Sequence, residues 1–229
     1  MEQKRLVFEK RAQSTPAQPQ ATNAQTASAP TFDLRRRPNR LALRFEHELE
    51  RHGGTVASIR NLFEVRHALA SQMLAWKAER IVSWGLGELE RWGVCDLLSQ
   101  SDCVAFDARK QSAVEFAKLC AKAVLGVTTA DFGVATTGSV VLVTNRWRPR
   151  AVTLLPTIHV VLLRESQLIE RAGDAFAIYR ERERSSASSV HFLSGPMLTR
   201  GAPTRLRVGI GPSVLSVILW LDEQGALTR

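Results

Sequence analysis

The fold is decided by Ala130-Asp-Phe-Gly-Val-Ala-Thr-Thr-Gly-Ser-Val-Val-Leu-Val-Thr144 together with Leu154-Leu-Pro-Thr-Ile-His-Val-Val-Leu-Leu163. Both stretches contain short apolar runs rich in β-branched residues, which predict strands. The small-residue loop beside the first run places backbone and hydroxyl groups at strand ends, where proteins commonly hold ligands. The sequence therefore predicts a binding site next to these strands.

Working outward, helical and extended patterns alternate along the chain. Leu62, Val65, Leu69, Met73 and Trp76 recur at helical spacing and predict an amphipathic helix. The other helix candidates are residues 41–49, 86–92, 111–124 and 168–184, and the strand candidates are 55–59, 80–83, 104–106, 125–128, 190–193, 206–208 and 214–221. The last strand is almost continuously apolar, as expected of a strand covered on both faces. The predicted fold class is α/β, with a mainly parallel or mixed sheet between helix layers.

Length and composition favour one folded domain. The chain has 229 residues, 45% of them hydrophobic, which suffices for a single substantial core. Residues 1–40 are expected to be a flexible polar and basic tail, because no charged or large apolar residue except Phe32 lies between Arg11 and Asp33. Residues 41–229 form the predicted α/β domain.

The net charge of +9 is partly a property of the tail, which contains eight basic and three acidic residues. Its cluster Arg35-Arg-Arg-Pro-Asn-Arg40 is interpreted as a solvated linker end, and the alternative is a site for phosphates, a nucleic acid or an acidic partner. Binding of nucleic acid is not expected, since the cluster lacks the interleaved aromatic residues of a stacking platform. The chain also lacks an apolar stretch of membrane-spanning length, so we expect a soluble, cytoplasmic protein.

The number and spacing of the cysteines argue against a metal site on this chain. Cys95, Cys103 and Cys120 form an odd set without C-x-x-C spacing, which argues against a disulfide framework, a zinc site or an iron–sulfur cluster. We expect neither a metal nor a cofactor to be bound by this chain alone.

Ligands of open α/β sheets bind beside the carboxyl ends of strands, and three loops rich in Gly, Ser or Thr are candidates for this role. They are residues 131–139, 194–196 and 209–212. The candidate ligand-binding residues are Thr136, Thr137, Gly138, Ser139, Ser194, Gly195, Pro196 and Gly211. Exposed backbone N–H groups in such loops suit an anion or a carbonyl oxygen. The alternative is that these residues only form tight turns.

Five motifs, taken together, resemble the lactate-utilization (LUD) domain family, in particular its C-type members. They are Gly53-Gly-Thr-Val56, Asp131-x-x-x-Ala135-x-Thr137-Gly138-Ser139, Leu154-Leu-Pro-x-x-His-Val160, Phe192-Leu-Ser-Gly-Pro196 and Gly211-Pro212 before an apolar strand. The resemblance implies a fold similar to sugar-phosphate isomerases and coenzyme A transferases. It also implies a role in oxidising L-lactate to pyruvate beside separate iron–sulfur partner proteins that carry the redox centres.

The chain departs from that pattern at positions that matter for chemistry. Thr136 replaces an acidic residue, Ile210 replaces a His, and Met197-Leu-Thr-Arg-Gly-Ala-Pro203 replaces a segment with acidic residues. These changes remove groups that transfer protons near neutral pH. Asp131 and His159 remain as the catalytic candidates, each with a structural alternative as a turn or strand-end residue.

Two functional hypotheses follow. The first is an accessory or ligand-binding subunit of a lactate-oxidising system, whose loops bind a small carboxylate, a phosphate-bearing ligand or the iron–sulfur partners. The second is an enzyme that acts on a phosphorylated or CoA-linked substrate through the isomerase- and transferase-like fold. The lost proton-transfer positions favour the first, and whether the chain is an enzyme stays open.

Overall fold

The computed structural model describes residues 38–182, 187–196, 198–200, 206–208 and 211–221. These residues belong to one compact unit. The predicted tail up to residue 37 lies outside the described residues. The same holds for residues 209–210 of the third loop and for Met197 and residues 201–203 of the divergent segment.

Helices and strands alternate much as predicted. The helices are α1 (Arg40–Arg51), α2 (Leu62–Ala75), α3 (Leu86–Leu89), α4 (Cys95–Ser99), α5 (Ala113–Cys120), α6 (Ala151–Leu154) and α7 (Ala172–Arg182). The strands are β1 (Thr55–Ile59), β2 (Ile81–Ser83), β3 (Cys103–Ala105), β4 (Leu125–Thr129), β5 (Phe132–Val134), β6 (Ser139–Thr144), β7 (Ile158–Arg164), β8 (Leu168–Ile169), β9 (Ser189–Leu193), β10 (Leu198–Arg200), β11 (Leu206–Val208) and β12 (Val214–Trp220). Single 3-10 turns follow α3 at Glu90–Trp92 and β7 at Glu165–Gln167.

A six-stranded sheet with the order β1-β12-β7-β4-β2-β3 forms the centre of the domain. Every pairing in it is parallel. The central strands β7 and β12 are buried along nearly their whole length, which accounts for their continuous apolar sequences. This arrangement confirms the predicted α/β fold class.

Helices cover both faces of this sheet, because neighbouring residues of a strand point to opposite sides. On one face, Val160 and Leu162 of β7 join an apolar cluster with Val65 and Leu69 of α2. The same cluster includes residues of α3 and α4. On the other face, Val161 and Leu163 of β7 share a second cluster with residues of α1, α5 and α6.

A smaller sheet, with the order β8-β5-β6-β9, lies on the α1 side. Its inner face contributes Val140, Leu142 and Leu193 to the second cluster, and α7 covers its outer face at Val141. Leu168 and Ile169, which the sequence placed on a helix face, instead form β8. The prediction was wrong there because these residues pair with Gly133 and Val134 of β5, and this tertiary pairing overrides the local pattern.

The connections create a switch point between β2 and β4. From β2 the chain passes through α3 and α4, on one face, to the edge strand β3. From β4 it passes through the smaller sheet and α6, on the other face, to β7. The loops that leave the carboxyl ends of β2 and β4 therefore diverge, and a crevice opens between them.

Candidate functional site

A cleft of about 390 Å³ occupies this crevice. It is lined by Gly87, Glu88, Arg91, Trp92, Thr129, Ala130, Asp131, Arg148, Arg164 and Gln167. The first four follow β2, the next three end or follow β4, and Arg164 ends β7. The cleft thus lies at the position where open α/β sheets hold their ligands.

An ion pair between Arg148 and Asp131 forms one wall. Their Nη1 and Oδ1 atoms are 2.8 Å apart, and Arg148 Nη2 lies 3.3 Å from the hydroxyl oxygen of Thr129. The second carboxylate oxygen of Asp131 accepts a hydrogen bond from the backbone N–H of Val143 at 2.7 Å. The Arg148 guanidinium also lies 4.2 Å from the ring centroid of Trp84. These contacts hold a mostly buried cation at a fixed place in the cleft.

Two aromatic rings position Arg164. Its guanidinium carbon lies 4.4 Å from the ring centroid of Trp220 and 5.3 Å from that of Trp92. Gln167 ties the adjacent strand ends together: its side-chain oxygen accepts from the backbone N–H of Arg164 at 2.9 Å, and its amide donates to the carbonyl of Ala130 at 2.8 Å. The ends of β4 and β7 are therefore held in fixed register at the cleft.

The lining of the cleft contains more cationic than anionic side chains. Three arginines line it against two carboxylates, those of Glu88 and Asp131. A guanidinium presents a planar fork of N–H donors that matches a carboxylate or phosphate. Arg91 is exposed, whereas Arg148 and Arg164 are partly buried. The arrangement suits a small anionic ligand whose charge meets the arginines.

Of the two catalytic candidates, the structure places only Asp131 in the cleft. His159 is fully buried in β7, and its Nε2 is 2.8 Å from the hydroxyl oxygen of Thr128. Burial lowers the pKa of His159 from 6.5 to about 3, because the interior disfavours the charged ring. His159 is accordingly a neutral residue of the sheet interior rather than a group that faces the cleft.

The candidate binding residues of the first two loops meet elsewhere. The hydroxyl oxygens of Thr137 and Ser139 are 2.6 Å apart, and that of Ser139 is 2.7 Å from that of Ser194. Thr136, Thr137 and Gly138 lie in the turn of the β5–β6 hairpin, at the opposite end from Asp131. Gly138 packs directly against the backbone of α1 at Leu49.

The remaining candidates lie beside the end of α1 and at the amino end of β12. Gly195 lies against the backbone of His52, and Pro196 lies beside Gly53. Gly211 comes just before β12, so it sits at the amino end of the parallel sheet, opposite the crevice. The structure corrects the expectation that these loops lie at the carboxyl ends of the parallel strands, since Pro196 lies beside the turn that enters β1 and Gly211 precedes its parallel neighbour β12. Ligand contact by these residues stays a prediction.

Sequence reasoning missed the cleft residues Glu88, Arg91, Arg148, Arg164 and Gln167. One signal was present, because Arg164 is the first charged residue after the long apolar run of β7. The others could not be found from spacing. Arg148 and Glu88 are sixty positions apart in the chain and meet only through the sheet order, with Nη2 and Oε2 separated by 3.8 Å.

Within the described ranges, no group of three or more His, Cys, Asp or Glu side chains could hold a metal ion. Burial raises the pKa of Cys103 to about 11 and that of Cys120 to about 12. Both are therefore protonated thiols near neutral pH. No helix in the described part of the chain is long and apolar enough to cross a membrane.

The parallel sheet with helices on both faces and a charged crevice at its switch point define the class, an α/β domain. The LUD domain profile matches residues 43–220, and the chain belongs to that family. Lactate utilization protein C of Anoxybacillus flavithermus is 30% identical over 165 residues, which cover 71% of this chain and 73% of that protein. The protein of the same name from Halalkalibacterium halodurans is 26% identical over 70% of each chain.

A solved structure supports the same fold. The crystal structure of a DUF162 family protein from Deinococcus radiodurans matches with a TM-score of 0.54 and 20% identity. The match covers 79% of this chain and 96% of that one. At this identity the likeness concerns the architecture alone.

Proposed function

We propose that this protein is a component of L-lactate utilization whose crevice binds the carboxylate of L-lactate or of its product pyruvate. Membership of the LUD domain family and the similarity to proteins named Lactate utilization protein C support this role. Separate iron–sulfur proteins would carry the redox centres. The oxidation removes two electrons and two protons from lactate, so an electron acceptor is required.

The observation that carries the proposal is the convergence of three arginines at the switch point of the sheet. Arg148 is fixed by Asp131 and Trp84, and Arg164 by two aromatic rings. A cation held in place before the ligand arrives loses little side-chain entropy on binding. A three-carbon acid is small enough to enter a cleft of about 390 Å³.

The crevice supports binding better than proton transfer. Both carboxylate oxygens of Asp131 are engaged, one by Arg148 and the other by the backbone N–H of Val143. Both oxygens are therefore occupied in holding Arg148 and strand β6 in place. His159 lies in the interior. We therefore propose a ligand-binding component whose ligand reacts together with the partner proteins.

Binding and growth test the proposal together. The gene is deleted in its source organism, and growth on L-lactate is compared after complementation with the wild type, Arg91→Glu or Lys118→Glu. Arg91 lines the cleft, while Lys118 is an exposed cation on α5 and serves as the matched charge-reversal control. Isothermal titration of the purified proteins gives the Kd for L-lactate and pyruvate.

We expect Arg91→Glu to weaken binding of pyruvate about tenfold or more, since it replaces an attraction by a repulsion. It should slow growth on L-lactate, and Lys118→Glu should do neither. The proposal is refuted if the deletion strain grows on L-lactate like its parent. Turnover of an acyl-CoA or a sugar phosphate by the isolated chain would favour the enzyme hypothesis instead.

The partner proteins need their own experiment. A tagged chain is purified from cells grown on L-lactate and from cells grown on glucose, without added salt. We expect iron–sulfur proteins, recognised by bound iron and acid-labile sulfide, to accompany the chain after growth on L-lactate. If no iron–sulfur protein is purified with the tagged chain from either culture, the proposed partnership is wrong.

A further inference from the structure

A second cleft lies next to the crevice, at the carboxyl ends of β2 and β3, and has a volume of about 860 Å³. We propose that it binds a nucleotide, with the heteroaromatic base against Trp147 and the phosphates near Arg109 and Lys110. This goes beyond lactate binding and does not depend on it.

The size and the position of this outer cleft favour an extended ligand. Its lining residues are Gly85, Leu86, Gly87, Glu88, Val104, Ala105, Phe106, Asp107, Arg109, Lys110, Gln111 and Trp147. A three-carbon acid would leave most of it empty, whereas its volume is typical of sites for larger cofactor-sized molecules. It shares Gly87 and Glu88 with the crevice, so the two clefts adjoin.

The apolar part of the wall suits a flat ring. Trp147 is 44% exposed and Leu86 is 37% exposed, although both are large hydrophobic side chains. The Arg146 guanidinium lies over one face of the Trp147 ring, 4.4 Å from its centroid, and Arg146 is not among the residues that line the cleft. Aromatic side chains of this kind stack on nucleic-acid bases, and the stacking tolerates any base because every base has a π-face.

The polar part suits phosphate. Arg109 and Lys110 are exposed cations in the turn between β3 and α5. Asp107 orders this turn by accepting from the backbone N–H of Arg109 at 2.9 Å, and its other oxygen lies 3.8 Å from Lys110 Nζ. Part of the Lys110 charge is thereby balanced, so Arg109 is assigned the main phosphate contact.

One loop serves both clefts. Trp147 lines the outer cleft and Arg148, the next residue, lines the crevice. Glu88 faces both and lies 3.8 Å from Arg148. Residues 147–148 and Glu88 therefore belong to the wall between the two clefts.

The experiment uses the full chain and three probes: ADP, adenosine and inorganic pyrophosphate. Their Kd values are measured by isothermal titration for the wild type, Trp147→Ala and Arg109→Ala. Phe63→Ala is the control for an exposed aromatic residue outside the clefts, and Lys118→Ala is the control for an exposed cation. Circular dichroism verifies that each variant is folded.

We expect Trp147→Ala to weaken the binding of ADP and of adenosine about tenfold, which is the effect of losing one base–aromatic stacking contact. Arg109→Ala should weaken the binding of ADP and of pyrophosphate about tenfold, because their phosphates lose a charged partner. Adenosine has no phosphate, so its binding should change less than twofold. The controls should match the wild type. The inference is overturned if ADP does not bind at about 5 mM, or if Trp147→Ala binds ADP as Phe63→Ala does. Failure of lactate and pyruvate to bind would leave these outcomes unchanged.

Discussion

His159 makes the stability of this protein depend on pH in a way that a single substitution removes. The ring is fully buried and its pKa falls from 6.5 to about 3, because burial disfavours the charged form. In the unfolded chain the ring takes up a proton as the pH falls through 6.5, while the native ring stays neutral down to about pH 3. The unfolded state is thus favoured by acid over that range.

The magnitude follows from the two pKa values. Each pH unit between them lowers the free energy of unfolding by up to about 1.4 kcal/mol. From pH 6.5 to 4.5 the loss due to His159 is about 2 kcal/mol. Burial also lowers the pKa of His191, which acts in the same direction. The test is therefore a difference between variants rather than the slope of the wild type alone.

The assay is urea unfolding followed by far-ultraviolet circular dichroism at four values between pH 7.5 and 4.5. His159→Gln keeps an amide that can bond to the Thr128 hydroxyl but does not titrate, so its profile should be flatter by about 2 kcal/mol between pH 6.5 and 4.5. Thr128→Val is the control, since it loses the hydrogen bond but keeps the ring. It should lose about 1–3 kcal/mol at every pH. Equal slopes for wild type and His159→Gln would refute the reasoning.

Two further substitutions test local structure by the same unfolding assay. Gly138→Ala should lower the free energy of unfolding by several kcal/mol or prevent folding, because φ of Gly138 is +59° and an added Cβ would lie 2.2 Å from the backbone nitrogen of Leu49. Gly93→Ala is the comparison, because Gly93 has a similar φ of +62° but its nearest contact is at 3.8 Å. It should lower the free energy of unfolding by about 1–2 kcal/mol. Equal losses would show that the contact with α1 is unimportant. Ser112→Ala removes a capping box with Glu115 at the start of α5 and should cost about 1 kcal/mol. An unchanged urea midpoint would contradict that value.

The main sheet could be predicted from the sequence because its strands have recognisable apolar sequences of their own. Residues 158–163 and 214–220 are apolar except for His159 and Ser216, a pattern typical of a strand covered on both faces. The smaller sheet was harder to predict. Strand β5 has three residues and contains a glycine, and β8 has two, so neither shows a period of its own. The two strands pair with each other although they are far apart in the sequence.

Of the predicted site residues, Asp131 lines the cleft. It was retained as a candidate because it matches a position of the family motif. Thr137 and Ser139 were grouped with it because they are close in sequence, but a hairpin carries neighbours to opposite ends. Arg148 follows a different strand and reaches Asp131 only after the sheet has formed. Sequence order alone does not contain that contact.

The substitution Gly87→Leu tests whether the two clefts at the switch point are the ligand-binding region. Gly87 lines both clefts, and an added Cβ there meets no atom within 4 Å, so a larger side chain occupies the cleft without disturbing the core. Gly173 in α7 has equally open surroundings and is the matched control.

The measurement is the Kd for pyruvate of the wild type, Gly87→Leu and Gly173→Leu by isothermal titration. We expect Gly87→Leu to bind pyruvate at least about tenfold more weakly than the wild type, and Gly173→Leu to stay within about twofold of it. If Gly87→Leu is folded and binds pyruvate as tightly as the wild type does, the ligand lies elsewhere and the account is wrong.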